Sequence, residues 1–158
     1  MNRNSFADFF MGTAILASQR SPDLRKVGAV LVDNATNRII STGYNGFPAG
    51  YNEKTLDLNN REEIYKRIIH AEVNCLLYAD SSLFNKDRDL VLYVTKSPCS
   101  SCLTVIAAAG IKKLVYLEPY RDINQVEGVA KEYGIDLWQW DANSKTIQNL
   151  LTIFSLYE

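Results

Sequence analysis

His70, Glu72, Cys99 and Cys102 are residues of the kind and spacing that can bind and use a zinc ion. One imidazole and two thiolates supply three ligands of borderline-soft character. A closed structural zinc site has four protein ligands, whereas a catalytic one has three and leaves its fourth position to water. In Pro98-Cys99-Ser100-Ser101-Cys102 the two sulfurs stand one helical turn apart, so both can point at one ion. The unpaired N–H groups of a helix start lower their thiol pKa values. Glu72, two residues beyond His70, remains as a carboxylate within reach of a zinc-bound water. Zinc makes hydroxide available near neutral pH, and such a carboxylate can carry protons from it to a leaving amine. The only histidine is committed as a ligand, so the proton shuttle falls to Glu72. Taken singly, the histidine could be a packing residue and the C-x-x-C pair structural or redox; together they point to catalytic zinc. Cys75 falls on another side of the His70 helix and reads as a buried inert thiol, not a fourth ligand.

The rest of the composition frames that chemistry. The 158 residues fit one domain, 1–158, large enough to fold without metal or disulfide staples, so zinc is expected to serve chemistry. With 17 basic and 18 acidic residues the net charge is −1, which offers no general attraction for a nucleic acid polymer. No apolar stretch approaches a membrane span, and a cytoplasmic location with reduced cysteines is expected.

The positioning elements alternate along the chain. Phe6, Phe9, Phe10, Thr13, Ala14 and Ala17 recur at helical intervals over 5–20, after Asn4 or Ser5 as cap. Two β-rich runs, 27–32 and 38–42, flank the turn formers of 33–37 and predict an antiparallel hairpin. A polar segment from Gly43 to about Arg61 is longer than a connection needs and reads as a binding loop. One helix over 63–79 is predicted to carry His70 and Glu72. A buried strand over 89–95 leads into a helix opened by the cysteines at 99–109 and closed by Gly110. Strand 113–117, helix 123–133, strand 135–140 and a final helix from about Ser144 follow. Strand–helix–strand–helix–strand order favours parallel pairing, so the expected fold class is α/β, a five-stranded mixed sheet covered by helices.

Four segments carry a resemblance to a known family. They are His70-Ala71-Glu72-Val73-Asn74 with Ser97 to Cys102, Lys26-Val27-Gly28-Ala29-Val30, Gly43-Tyr44-Asn45-Gly46-Phe47-Pro48, and Gly110 to Tyr116. The zinc motif alone resembles the cytidine deaminase superfamily, and the Gly-Tyr-Asn-Gly-x-Pro segment narrows this to the deoxycytidylate (dCMP) deaminase family. The resemblance implies a three-layer α/β/α fold and zinc-dependent hydrolysis of dCMP to dUMP and ammonia, feeding thymidylate synthesis. It implies that Asn45 hydrogen-bonds the deoxyribose and that Tyr120 contacts the nucleotide. It further implies a homo-oligomer, commonly a hexamer, activated by dCTP and inhibited by dTTP. Lys26, Val27, Gly28, Asn45 and Gly46 would lie near that effector, and magnesium (Mg2+) can accompany its triphosphate.

A substrate phosphate needs cations, for which Arg121 beside Tyr120 and Arg25 near Ser21 are candidates; which of Arg25, Lys26, Lys96 and Arg121 turn inward stays open. Some viral members carry a second zinc, but only Cys75 is left over here, so one zinc (Zn2+) per chain is expected. The stretch from Tyr51 to Arg61 has no obvious family counterpart. Rival readings are another deaminase of the superfamily, acting on cytidine, dCTP or tRNA adenosine, and a zinc-stabilised interaction module without activity. The residues before His70 and the near-neutral charge speak against tRNA.

Overall fold

A computed structural model describes residues 3–84, 87–141 and 144–155. Five strands form one sheet, β1 (Gly28–Asp33), β2 (Arg38–Tyr44), β3 (Leu90–Lys96), β4 (Lys113–Glu118) and β5 (Asp136–Gln139), in the order β2-β1-β3-β4-β5. β1 pairs antiparallel with β2 and with β3, while β3, β4 and β5 run parallel. The hairpin turns at Asp33, whose Oδ1 accepts from the N–H groups of Ala35 and Thr36, and at Asn37, which adopts a φ of 54°.

Both faces of the sheet are covered, as strands without polar alternation require. Ala29, Leu31, Leu92 and Val94 face one side, where α3 (Ala71–Leu77), α4 (Ser100–Ala108) and α5 (Ile123–Glu132) pack. Val30, Val32, Val91 and Tyr93 face the other, against Phe10, Met11 and Ala14 of α1 (Phe6–Ser18) and Ile147 of α6 (Lys145–Ser155). The expected mixed sheet between helices is what forms. Ser5 caps α1, its Oγ accepting from Asp8 N–H at 3.0 Å. No helix among the described residues is long and apolar enough to cross a membrane.

The expected continuous helix over 63–79 is corrected. It divides into a short α2 (Arg61–Tyr65) and α3, and between them Ile69 pairs with Gly46 as an isolated antiparallel bridge. Ile69 N–H donates to Gly46 O at 2.7 Å, and Gly46 N–H donates to Ile69 O at 3.0 Å. Ile64, Ile68 and Ile69 sustain a helical apolar pattern in sequence, but the adjacent β-branched pair Ile68-Ile69 accepts extended backbone readily. The bridge to the β2 loop decides the matter. His70 consequently stands at the N-cap of α3 in extended geometry, φ −67° and ψ 153°, and not in mid-helix.

Two glycines let helices lie directly on strands. A Cβ on Gly28 would sit 1.9 Å from the Ala14 carbonyl oxygen, and one on Gly43 would sit 2.4 Å from Cys75 N. Gly128, inside α5, faces open space. Gly28→Ala is therefore expected to destabilise the chain by about 2–3 kcal/mol through overpacking. Gly128→Ala is expected to stabilise it by about 0.5–1 kcal/mol through helix propensity. Urea denaturation of the two variants against the parent chain checks both signs.

Candidate active site

The cysteines are delivered by the end of β3. Ser97 N–H donates to Glu118 O at 2.8 Å and Tyr120 N–H donates to Ser97 Oγ at 2.7 Å, which locks the ends of β3 and β4 together. Pro98 then turns the chain, Cys99 becomes the N-cap of α4, and Cys102 lies in the helix's first turn. From the other direction the Gly46–Ile69 bridge presents His70.

The Nδ1 of His70 and the Sγ atoms of Cys99 and Cys102 all lie within 4.8 Å of one another. His70 Nδ1 is 3.6 Å from Cys99 Sγ and 3.3 Å from Cys102 Sγ. A tetrahedral zinc with bonds of about 2.3 Å to sulfur and 2.0–2.1 Å to nitrogen places those atoms about 3.6 Å apart, so the donors fit the ion in type and spacing. Cys99 and burial drive the Cys102 thiol upward, while Cys102 and His70 hold the Cys99 thiol down at about 4. A dication held by these donors would favour the thiolate form of both. His70 is raised chiefly by its bond to Cys99, against its own burial. Cys75 stands outside the group. Its thiol is buried beside Ser41, whose Oγ donates to Cys75 O at 2.8 Å, and burial pushes it up to about 11.

Glu72 lies in the first turn of α3 and is 3% exposed. Burial pushes its carboxyl up to about 7, with the His70 imidazole drawing it partly back. A carboxyl poised near neutrality can both take and give a proton.

His70, Ala71, Glu72 and Cys99 line one cavity that opens to solvent. Val27, Asn45 and Ile68 form further wall, with Arg25, Arg61, Tyr65, Lys96, Ser97 and Tyr120. Only the two ends of the 43–61 loop, Asn45 and Arg61, reach this cavity.

The residues singled out in the sequence divide when placed. Asn45 is buried, and its side chain organises the segment opposite: Oδ1 accepts from Val27 N–H at 2.8 Å, and Nδ2 donates to Arg25 O at 2.8 Å and Asp23 Oδ2 at 3.2 Å. Ser21 is also buried, its Oγ donating to Asn45 O at 2.7 Å, and it lies outside the cavity's lining. Arg25 and Tyr120 line the cavity; Arg121 does not, its guanidinium lying 5.9 Å from the Tyr120 ring and on a neighbouring groove. Of the five residues expected near an effector, Val27 and Asn45 line the metal cavity and Lys26 the neighbouring groove. Gly28 is spent on packing against α1, with its N–H donating to Thr95 Oγ1 at 3.1 Å, and Gly46 on the bridge to Ile69.

Asp23, Arg61 and Tyr65 were not anticipated. Asp23, 3% exposed, accepts two bonds from Arg61, at 2.5 Å from Nη1 and 3.0 Å from Nη2. Thirty-eight residues of separation hide the pair from any spacing argument. Burial raises the Asp23 carboxyl, but the Arg61 bonds, the Arg25 N–H and the Arg61 charge outweigh it and leave it below the usual value of 3.8. Its stabilisation is thus present above the unfolded value of 3.8 and is lost as pH falls through the lower folded one. Arg61→Ala is expected to cost roughly 3 kcal/mol at pH 7 by leaving a buried carboxylate unpaired. That deficit should shrink below about pH 4, where the carboxyl of the variant is neutral. Denaturation midpoints of parent and variant at pH 7 and in acid measure both.

Comparison with known proteins agrees with this constellation. Residues 4–118 match the family model of the cytidine and deoxycytidylate deaminase zinc-binding region. The deoxycytidylate deaminase of Mycobacterium phage D29 is 38% identical over 132 residues, covering 73% of this chain and 97% of that one. A probable deoxycytidylate deaminase of Drosophila melanogaster is 33% identical over 127 residues, and the match covers 73% of this chain and 61% of the fly protein. The crystal structure of dCMP deaminase from the cyanophage S-TIM5 in complex with dCMP and dUMP superposes with a TM-score of 0.66 at 28% identity, covering 89% of this chain and 100% of that one. A proline-led cysteine pair at the start of one helix, a histidine capping another, and a buried glutamate beside them are thus found in a chain that belongs to the deoxycytidylate deaminase family of zinc-binding deaminases.

Proposed function

We propose that residues 1–158 act as one deaminase domain that hydrolyses dCMP to dUMP and ammonia, with one zinc held by His70, Cys99 and Cys102. The observation that carries this is one cavity into which His70 and Cys99 of the three-donor group open beside the buried carboxyl of Glu72. The cyanophage relative bound to dCMP and dUMP supports the choice of substrate.

When bound, zinc supplies hydroxide near neutral pH. Glu72 is the group that holds and moves protons: it accepts one from the attacking water and gives it to the ring nitrogen, then accepts a second from the hydroxyl added to the ring carbon and gives that to the departing amine. Its burial raises its affinity for a proton, which suits a group that must both accept and return one. Asn45 and Tyr120 flank the sugar and nucleotide, and Arg25 takes the phosphate.

The proposal extends to control by dCTP and dTTP, with magnesium on the triphosphate, in a cytoplasmic homo-oligomer of hexameric type. The segment just before β1 supports such coupling physically, because Lys26 lines the neighbouring groove while Val27 lines the metal cavity. A shift of that short segment would alter both. Nucleotides are the partners under this reading, and a nucleic acid polymer is not.

Elemental analysis of the purified chain is expected to give one zinc per chain, with that content lost in Cys99→Ala. Glu72→Gln is expected to keep the metal and the fold while kcat for dCMP falls by roughly 10² or more. If Glu72→Gln is indistinguishable from the parent, the domain is a zinc-stabilised module and not an enzyme. dTTP is expected to raise the apparent KM for dCMP about fivefold or more, dCTP to relieve it, and Lys26→Ala to weaken both effects. Inhibition that is strictly competitive and indifferent to dCTP and to Lys26 counts against regulation.

A further inference from the structure

The basic residues along the cavity differ in what neutralises them. Arg61 is paired with Asp23 through two bonds, and Lys96 Nζ with Glu118 at 2.8 Å. Arg25 makes no ion pair among the described residues; its Nη1 donates instead to the Tyr65 hydroxyl at 2.6 Å. The Tyr120 phenol interacts with the same Tyr65 hydroxyl and with Arg25. All three line the cavity that contains His70 and Glu72. A guanidinium held only by neutral phenols keeps its full charge and its remaining N–H donors for an anion.

Tyr65 is itself well anchored. It ends α2, and the Arg61 guanidinium carbon lies 5.0 Å from its ring centre. Arg61 in turn is fixed by Asp23, which also receives Asn45 Nδ2. One connected set therefore runs from the buried carboxylate through Arg61 and the Tyr65 ring to the Arg25 guanidinium.

We infer that Tyr65 is a positioning residue that sets specificity: its hydroxyl holds Arg25 at the cavity, where the guanidinium takes the 5′-phosphate, so that the site selects a pyrimidine nucleoside monophosphate over the nucleoside. This rests on the deaminase reading above. Tyr65→Phe keeps the ring beside Arg61 and leaves both Asp23–Arg61 bonds in place, while it removes the hydroxyl that holds Arg25.

The test compares kcat/KM for dCMP and deoxycytidine in the zinc-loaded parent, Tyr65→Phe and Arg25→Gln, with inorganic phosphate as competitor against deoxycytidine and thermal midpoints as a check of folding. The expected result is a dCMP-to-deoxycytidine selectivity ratio lowered about tenfold or more in Tyr65→Phe, residing in KM, with weaker inhibition by phosphate. Arg25→Gln should lower the ratio at least as far. A parent that prefers dCMP, together with a Tyr65→Phe variant that keeps that ratio, overturns the inference alone. Equal losses on both substrates, in kcat, make Tyr65 a structural prop and overturn it likewise. A parent that deaminates neither compound overturns the deaminase reading and this inference with it.

Discussion

Two backbone hydrogen bonds between Gly46 and Ile69 are the constraint on which the site depends. They stop a helical apolar pattern from continuing, place His70 at a helix start, and tie that start to the loop bearing Asn45. Because His70 caps α3, its ring meets Cys99, which caps α4, and Cys102 in the first turn of that helix. In mid-helix its side chain would have pointed outward from the barrel of the helix, and Glu72 would have shared neither its depth nor its direction.

The sheet supplies the second half of that geometry. Parallel pairing of β3 with β4 places the residues after both strands at one end of the sheet, where Ser97, Cys99 and Tyr120 gather. Gly43 lets α3 lie against β2 without an intervening side chain, so the depth at which Glu72 is buried follows from backbone contact. That depth raises its carboxyl. The same low-polarity surroundings would make Asp23 costly, and here the two Arg61 bonds and the Asn45 amide offset its desolvation.

Much of this was legible beforehand, for local reasons. The buried runs of β1 and β3, the Ala-rich α4 closed by Gly110, and the one-turn spacing of Cys99 and Cys102 are all signals between near neighbours. The α2–α3 break was not, because its cause is a partner more than twenty residues away on the β2 loop, and periodicity carries no information about such a bridge. Asp23, Arg61 and Tyr65 were hidden for the same reason, since none belongs to a spaced motif. Ser21 and Gly28 show the converse limit: residues that stand in a recognisable segment can be occupied with backbone support or helix contact.

Strand β3 lies in the middle of the sheet, antiparallel to β1 and parallel to β4, and the metal donors flank it in sequence, His70 before and the cysteines after. A chain in which β3 has not yet entered between its neighbours therefore offers an ion the two sulfurs alone. The third donor joins them through pairings between residues distant in the sequence, the kind that form slowly in folding. Tight retention of a metal ion would thus be reserved for chains whose central sheet is complete.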